Sequence, residues 1–410
     1  MIPKQILKDN NNISQNNEIY INNNIYIMSK WPQMSQKMID SVSHVLESGK
    51  LNQWNNPAVR EFEEKFAKHM NCNYAVAVFN GTVALELCVK ALGLKEGDEV
   101  IVTSRTFLAS ATCCAWYGIK PVFADVDKNS QNITLETIKG AITNKTKAVI
   151  LVHLAGWPCE LEEICQYCRE KGIFIIEDCA QAHGAKYNGK SVGTWGDINA
   201  WSFCQDKIIT TGGEGGMVTT NCPHLYKLAW SLKDHGKGYD TVFNTEHPPG
   251  FRWLHENIGT NWRMLPMQAV IGSHALDELE GWIDHRRKIA SIYNNVLKDC
   301  PGIRLTLPPE NVYHAYYKYY FFIETDKFSI SRDELINKIN DENVFCQVGS
   351  CSEVYKENAL GEFAPNTELN VVKQLFDSAI LLLCDPTISE EIAKENMNII
   401  KNILNIYINI

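Results

Sequence analysis

Residues 148–179 read AVILVHLAGWPCELEEICQYCREKGIFIIEDC, two apolar runs separated by an amphipathic stretch. The runs AVILVHL (148–154) and IFIIEDC (173–179) predict buried strands, and Leu161 to Lys171 predicts a helix between them. A helix that connects two buried strands at this spacing is typical of a βαβ unit with parallel strands. This stretch therefore predicts an α/β fold.

The same alternation continues on the N-terminal side. EVIVTS (99–104) and KPVFADV (120–126) predict strands that are each followed by a helix, and YAVAVF (74–79) leads directly into Asn80-Gly81-Thr82. Ligands of such sheets bind at the carboxyl ends of the strands. The residues at or just past those ends are Gly81, Phe107, His153 and Asp178.

The chain predicts three segments. Residues 1–30 are Asn-rich and predict a flexible extension, because such tracts rarely support a core. Residues 31–280 predict a large α/β domain that binds a cofactor. Residues 281–410 predict a long linking helix and a small α+β domain, since strands such as YYKYYFFIE (316–324) replace the earlier alternation after Pro301.

Composition excludes several partners. The net charge of −9 argues against a nucleic-acid or anionic-membrane surface, and no apolar run predicts a membrane span or a secretory leader. The 14 cysteines are scattered, which fits a reducing cytoplasmic location. Cys165 and Cys168 have the CxxC spacing of zinc or redox sites, but they fall on a predicted helix without a second ligand pair, so we favour a buried helix face and predict no metal.

Lys207 and Asp178 are the candidate catalytic residues. Read alone, Lys207 is a surface lysine before the glycine turn GGEGG (212–216), and Asp178 is a partnered carboxylate at a strand end. Together with an anion site at Gly81-Thr82, they form the set that pyridoxal phosphate needs: an amine for an imine bond, a carboxylate for the ring nitrogen and backbone N–H groups for the phosphate. An ordinary helix cap at Thr82 explains that last pair equally well.

From Trp31 onward the chain resembles the DegT/StrS sugar aminotransferases, which are fold-type I pyridoxal-phosphate enzymes. The motifs that carry the resemblance are NGTVALELCVKALG, TFLASA, KPVFADVD, VHLAGWP, IIEDCAQAHGAKYNGKSVGTWGDINAWSF, the Lys207 stretch with GGEGGMVTT, and GTNWRMLPMQAVIG. The resemblance implies a mostly parallel, seven-stranded type of sheet between helices, with a smaller C-terminal domain.

The resemblance also implies cofactor contacts. Lys207 would hold pyridoxal phosphate covalently and then act as acid and base, Asp178 would bind the ring nitrogen, and Gln181 would lie near the ring hydroxyl. Phe107 would stack on the ring. The implied phosphate contacts are Gly81, Thr82, Ser202 and, from the partner subunit of a homodimer, Asn261.

Lysine at position 207 implies transamination, because a dehydrating branch of this fold has histidine there. Glutamate would leave its amino group on the cofactor as pyridoxamine phosphate, and a nucleotide-linked 4-keto-6-deoxysugar would receive it, as in viosamine or perosamine synthesis. UDP- and dTDP-linked sugars are the expected substrates. Amination at carbon 3 and a non-catalytic sensor with the same fold remain alternatives.

Substrate contacts are predicted on two segments. The loop that contains His235 and HPPGFRWLHENIG (247–259), with Arg252, is expected to cover the acceptor. HAYYKYY (314–320), with His314 and Lys318, matches a substrate-side strand of the family. His153 and His183 are expected to be local hydrogen-bonding residues.

Overall fold

A computed structural model describes residues 18–21, 24–27, 29–247, 249–250, 252–350 and 352–409. The strands are β1 (Glu18–Ile21), β2 (Asn24–Ile27), β3 (Tyr74–Val78), β4 (Glu99–Thr103), β5 (Lys120–Ala124), β6 (Thr146–Val152), β7 (Phe174–Asp178), β8 (Lys186–Tyr187), β9 (Lys190–Ser191), β10 (Ile198–Ser202), β11 (Gly216–Thr220), β12 (Ile303–Arg304), β13 (Val312–Tyr313), β14 (Tyr319–Ile323), β15 (Cys346–Gln347) and β16 (Ala379–Leu382).

The α-helices include one with the predicted bounds, from Leu161 to Lys171. They are α1 (Gln36–Glu47), α2 (Ala58–Met70), α3 (Gly81–Ala91), α4 (Ala109–Ala115), α5 (Leu135–Ala141), α6 (Leu161–Lys171), α7 (Pro223–Lys233), α8 (Tyr239–Phe243), α9 (Pro266–Leu297), α10 (Arg332–Asp341), α11 (Asn370–Ser378) and α12 (Glu390–Tyr407). Among the described residues, no helix combines the length and the apolar character that a bilayer crossing requires.

The central sheet has seven strands in the order β3-β11-β10-β7-β6-β4-β5. Strand β11 runs antiparallel to both of its neighbours, β3 and β10, whereas the pairs from β10 to β5 are parallel. Six strands therefore end at the same edge. The predicted α/β class with a mostly parallel seven-stranded sheet is confirmed.

Both faces of this sheet are covered: every residue of β4, β10 and β11 is buried, and so are most residues of β3, β6 and β7. Trp201 packs with Phe66 and Phe203 on one face, and the neighbouring Ala200 belongs to the apolar cluster on the other. A strand that is buried on both faces reads as a continuous apolar run. This explains why the runs at 148–154 and 173–179 lack alternation.

A second sheet, β12-β14-β16-β15, is antiparallel and packs with α10 and α12. The 32-residue helix α9 joins the two parts. Its residues up to Ile283 pack in the core of the large sheet, and those from Ile289 onward pack in the core of the small one. The predicted domain limit at 280/281 falls inside this helix, and the division into domains stays a prediction.

The N-terminal extension shows one local departure from the expectation. Strands β1 and β2 form an antiparallel pair in which Glu18 lies opposite Ile27 and Ile21 lies opposite Asn24. Residues 1–17, 22–23 and 28 of the predicted extension lie outside the described residues.

Glu177, in β7, fixes the loop that precedes β10. Its buried carboxylate accepts hydrogen bonds from His153 Nε2 at 3.0 Å and from the backbone N–H groups of Gly193, Trp195 and Gly196 at 2.7–2.8 Å. Burial alone would raise the pKa of Glu177, but His153 and these N–H groups outweigh it and hold the pKa below its usual value. His153 is thus a local hydrogen-bonding residue, as expected.

Candidate active site

Asp178 ends β7 and lies between the ends of β6 and β10 in the sheet. Its side chain is buried and accepts hydrogen bonds from Ser110 Oγ at 2.7 Å and from the backbone N–H of Ala180 at 3.1 Å. Ser110 is in turn 2.8 Å from Thr106 Oγ1. A carboxylate with only two donors keeps acceptor capacity for a further cationic or N–H group.

Burial raises the pKa of Asp178, and Ser110, Ala180 and Lys207 act against that rise. The two hydrogen bonds therefore favour the ionised carboxylate in a site that otherwise disfavours charge. Asp178 is the kind of residue that can keep a heteroaromatic ring nitrogen protonated.

The next part of the site lies where β3, β10 and β11 come together. Gly81 begins α3, and a Cβ at Gly81 would lie 2.5 Å from Ser202 Cβ. A Cβ at Gly216 would lie 2.3 Å from the carbonyl oxygen of Asn80. Since no side chain fits at either glycine, the first turn of α3 packs directly on the end of β10. Its free N–H groups and the exposed Thr82 form an anion-binding end.

Lys207 follows β10 and is held at both its backbone and its amine. Trp31 Nε1 donates to the carbonyl oxygen of Lys207 at 2.9 Å, and Lys207 Nζ is 3.4 Å from the hydroxyl of Tyr317. The Lys207 side chain is 15% exposed, so the amine is accessible without being a free surface group. This position excludes the simpler reading of Lys207 as a solvated lysine before a turn.

Two further predicted contacts lie on neighbouring segments. Gln181 is buried, and its Oε1 accepts from the backbone N–H of Ala155 at 2.8 Å, which leaves its amide NH₂ as the available donor. Phe107 follows β4 and is 62% exposed, although its carbonyl oxygen accepts from the backbone N–H of Ser110. An exposed aromatic ring next to the Asp178 hydrogen-bond chain is available to cover a bound ring.

Asn261 has a fixed backbone and an exposed side chain. Its backbone forms an isolated antiparallel β-bridge with Asp234. The buried carboxylate of Asp234 forms ion pairs with Lys237 at 2.8 Å and with Arg263 at 2.7 Å. His235 lies beside this bridge with an exposed side chain and φ +59°, and Arg252 is exposed on the following loop. These three side chains face solvent in the single chain.

The two other predicted substrate contacts, His314 and Lys318, are buried or mostly buried. His314 is buried and stacked on Tyr316 at 3.8 Å, and its Nδ1 accepts from the backbone N–H of Tyr316. Burial lowers the pKa of His314 to about 3. Lys318 is mostly buried, 3.8 Å from the carboxylate of Asp206. Both geometries argue against direct substrate contact, because each side chain is already engaged within the protein.

His183 is held by packing as well as by polar surroundings. It lies between the rings of Trp201 and Phe203, close to the backbone of Ser202. Burial, and then the charge of Lys207, lower the pKa of His183 to about 3. The imidazole is therefore neutral and acts as part of the apolar core.

Three residues around this site were not singled out by the sequence. Ser110 lies within the motif TFLASA, Asp206 precedes Lys207, and Tyr317 lies within HAYYKYY. Ser110 and Tyr317 lie in quoted motifs, but their contacts with Asp178 and Lys207 join chain segments far apart in sequence.

The residues fit pyridoxal phosphate. Asp178 is a buried acceptor with spare capacity, Lys207 offers an amine, and Gly81 lets the N-terminus of α3 pack closely on Ser202 at the end of β10. These are the three groups that the ring nitrogen, the aldehyde and the phosphate require.

Replacing Ser110 tests how Asp178 is kept ionised. Ser110→Ala removes one donor, so burial raises the pKa of Asp178 further and the carboxyl takes up a proton at higher pH. The ionised carboxylate is the form expected to bind the ring nitrogen, so pyridoxal phosphate affinity should decline as the pH is lowered. In Ser110→Ala this decline should start at a pH about one unit higher than in the unmodified protein. Fluorescence titrations of the cofactor across pH measure this affinity.

Thr112→Val, on the same helix, is the control. It removes a hydroxyl that donates to the carbonyl oxygen of Leu108 and should leave the pH profile unchanged. Equal pH profiles for the two variants would contradict the role of Ser110.

Comparisons with known proteins agree with this site. GDP-perosamine synthase of Escherichia coli O157:H7 is 38% identical over 310 residues, covering 76% of this chain and 80% of that protein. The dTDP-4-dehydro-2,3,6-trideoxy-D-glucose 4-aminotransferase of Saccharopolyspora spinosa is 38% identical over 297 residues, 70% of this chain and 75% of that one. The crystal structure of an aminotransferase from Psychrobacter cryohalolentis superimposes with a TM-score of 0.90 at 44% identity, covering 92% of this chain and 98% of that chain.

The model of the DegT/DnrJ/EryC1/StrS aminotransferase family matches residues 32–401, which is most of the chain. This match confirms the predicted enzyme class and the pyridoxal phosphate cofactor that goes with it. By its sequence, its fold and the residues of its site, the chain belongs to the DegT/DnrJ/EryC1/StrS aminotransferase family.

Proposed function

We propose that this enzyme transfers the amino group of glutamate to carbon 4 of a nucleotide-linked 4-keto-6-deoxyhexose, UDP- or dTDP-linked, and so forms a 4-amino-4,6-dideoxysugar for glycan synthesis. The observation that carries the proposal is the partly buried Lys207 amine at the same sheet edge as the buried carboxylate of Asp178. A lysine at this position is the group that a transaminase needs, whereas the dehydrating branch has histidine.

Pyridoxal phosphate, when bound, supplies an electron sink and a temporary carrier of the amino group. Lys207 would hold it covalently, and the Lys207 amine would be the group at this site that accepts and donates a proton. Its limited exposure keeps bulk water from competing for that proton.

The other residues hold the ring and the phosphate. Asp178, ionised with the help of Ser110, would keep the ring nitrogen protonated. Gln181 would offer its free amide to the ring hydroxyl, and Phe107 would pack on the ring. Gly81, Thr82 and Ser202 would hold the phosphate.

The sugar side of the site is proposed from the loop after α7. His235 and Arg252 are exposed there, and a fixed guanidinium suits the oxygens of a diphosphate. His314 and Lys318 are left out of the proposed substrate contacts, because their own hydrogen bonds and ion pairs occupy them.

The relatives support a nucleotide sugar, and one of them supports carbon 4, whereas another is named for a 3-amino sugar. One is named as a synthase of GDP-perosamine and another as a 4-aminotransferase of a dTDP-linked dehydro sugar. Their nucleotides differ, so the nucleotide is assigned by experiment.

We also propose a homodimer in which Asn261 reaches the phosphate of the partner subunit's cofactor. Support comes from the fixed backbone and exposed side chain of Asn261, and from the strongly exposed apolar residues beside it, Trp253 at 83% and Ile258 at 99%. Large apolar side chains clustered on one exposed loop are typical of an interface.

The role of Lys207 predicts a covalent adduct. The purified protein with pyridoxal phosphate should absorb visible light, and glutamate should bleach that absorbance. After borohydride reduction, mass spectrometry should find the cofactor on the peptide that contains Lys207. Lys207→Ala should bind the cofactor without covalent attachment and lose at least about a hundredfold in turnover. A colourless protein that glutamate does not change would favour the non-catalytic sensor.

The substrate proposal predicts one product. Incubation with glutamate and UDP-, dTDP- or GDP-linked 4-keto-6-deoxyhexoses, and with a 3-keto isomer, should give amination at carbon 4 of a UDP- or dTDP-linked sugar. NMR of the product identifies the aminated carbon and the nucleotide. Turnover of the GDP sugar alone would overturn the nucleotide assignment, and a 3-amino product would overturn carbon 4.

The dimer proposal predicts a mass of two chains in sedimentation velocity. The double variant Trp253→Asp/Ile258→Asp places two charges in the proposed contact and should give monomers with weakened cofactor binding. Trp116→Asp, at an 80% exposed tryptophan elsewhere on the surface, is the matched control and should remain dimeric. A dimer that survives the double substitution would place the interface elsewhere.

A further inference from the structure

The amine of Lys207 has two neighbours that the proposed chemistry does not use. Lys207 Nζ is 3.4 Å from Tyr317 Oη, and Tyr317 Oη donates a short hydrogen bond to Asp206 Oδ2. Asp206 precedes Lys207 in the chain, whereas Tyr317 comes from the segment that leads into β14. Two distant segments thus meet at one nitrogen.

Tyr317 is the closer of the two neighbours. The nearest carboxylate oxygen of Asp206 is 3.9 Å from Lys207 Nζ, which is too far for a hydrogen bond. Tyr317 is 4% exposed, and its ring lies within 4.8 Å of Lys207 Nζ. The phenol is therefore fixed by burial and is the direct contact of the amine.

The proton positions in this group are set by its charges. Burial raises the pKa of Tyr317 well above its usual value, and Asp206 adds to the rise, so the phenol stays protonated. Burial would also raise the pKa of Asp206, but Lys207, Lys318 and Tyr317 outweigh it and keep the carboxylate ionised. Hence the Tyr317 O–H points at Asp206, and a lone pair of its oxygen is left for an N–H of Lys207.

We propose that Tyr317 and Asp206 are positioning residues for Lys207: Tyr317 accepts a hydrogen bond from the free amine and thereby aims its lone pair, and Asp206 fixes the direction of the Tyr317 hydroxyl. This inference rests on the proposed covalent role of Lys207. When one N–H of the amine is hydrogen-bonded, the lone pair of its nitrogen points in a different, fixed direction. Activated nucleophiles are commonly oriented in this way by a second group, here Tyr317, which is itself oriented by a third, here Asp206. Lys318, 3.8 Å from Asp206, holds the carboxylate in its charged form.

The experiment compares two cofactor forms in the protein freed of cofactor. Pyridoxal phosphate must react with Lys207, whereas pyridoxamine phosphate binds without reacting. Tyr317→Phe should slow covalent attachment of pyridoxal phosphate about three- to tenfold, as expected for one lost hydrogen bond, and leave pyridoxamine phosphate affinity unchanged. Stopped-flow absorbance gives the first quantity and fluorescence titration the second.

Tyr313→Phe is the matched control. Tyr313 lies on the same segment and also donates to a carboxylate, that of Asp284 at 3.2 Å, on the outer surface. It should attach pyridoxal phosphate at the unmodified rate. Asp206→Asn, which keeps the shape and removes the charge, should slow attachment in the same direction as Tyr317→Phe, and the double variant should be no slower than the slower single variant.

The outcomes separate this inference from the proposed function. If reduction and mass spectrometry find no cofactor on Lys207 in the unmodified protein, the covalent role fails. If Lys207 is labelled but Tyr317→Phe attaches pyridoxal phosphate at the unmodified rate, the positioning role alone is refuted. Equal losses of pyridoxal and pyridoxamine phosphate binding in Tyr317→Phe would also refute it, because they would show a general packing effect.

Discussion

The structure depends on hydrogen-bond donors that offset the burial of two adjacent carboxylates, those of Glu177 and Asp178. Burying an unpaired charge costs several kcal/mol, so each side chain needs its own donors. Glu177 obtains them from His153 and from three backbone N–H groups of one loop. Asp178 obtains two and keeps capacity for a ligand. The first carboxylate is satisfied by the fold, and the second keeps the acceptor capacity that the proposed cofactor contact requires.

Much of the large sheet could be predicted, because its strands are long, apolar and separated by helices with clear periodicity. The candidate residues at the strand ends, Gly81 and Asp178, follow from that sheet order, whereas Ser202 was implied only by the family resemblance. Position along the chain was enough for them, since parallel strands bring their carboxyl ends to one edge.

The contacts of side chains from other segments could not be predicted in this way. Within HAYYKYY, the sequence does not distinguish side chains that face a substrate from those that contact the protein. In the structure, Tyr317 and Lys318 both lie next to Asp206. His314 is polar in sequence and yet lies stacked inside the protein. Such outcomes depend on how the segment before β14 packs against the large domain, which neither periodicity nor motif spacing specifies.

The hydrogen bond from Trp31 Nε1 to the carbonyl oxygen of Lys207 links the residue just after the Asn-rich extension to the candidate catalytic lysine. Trp31 also packs edge-on against Trp282 of α9 at 4.8 Å. The practical consequence concerns where the chain can be shortened or tagged. A recombinant form trimmed past Trp31 would lose an anchor of the lysine backbone along with that extension, so a boundary chosen to remove the Asn-rich region belongs before this tryptophan.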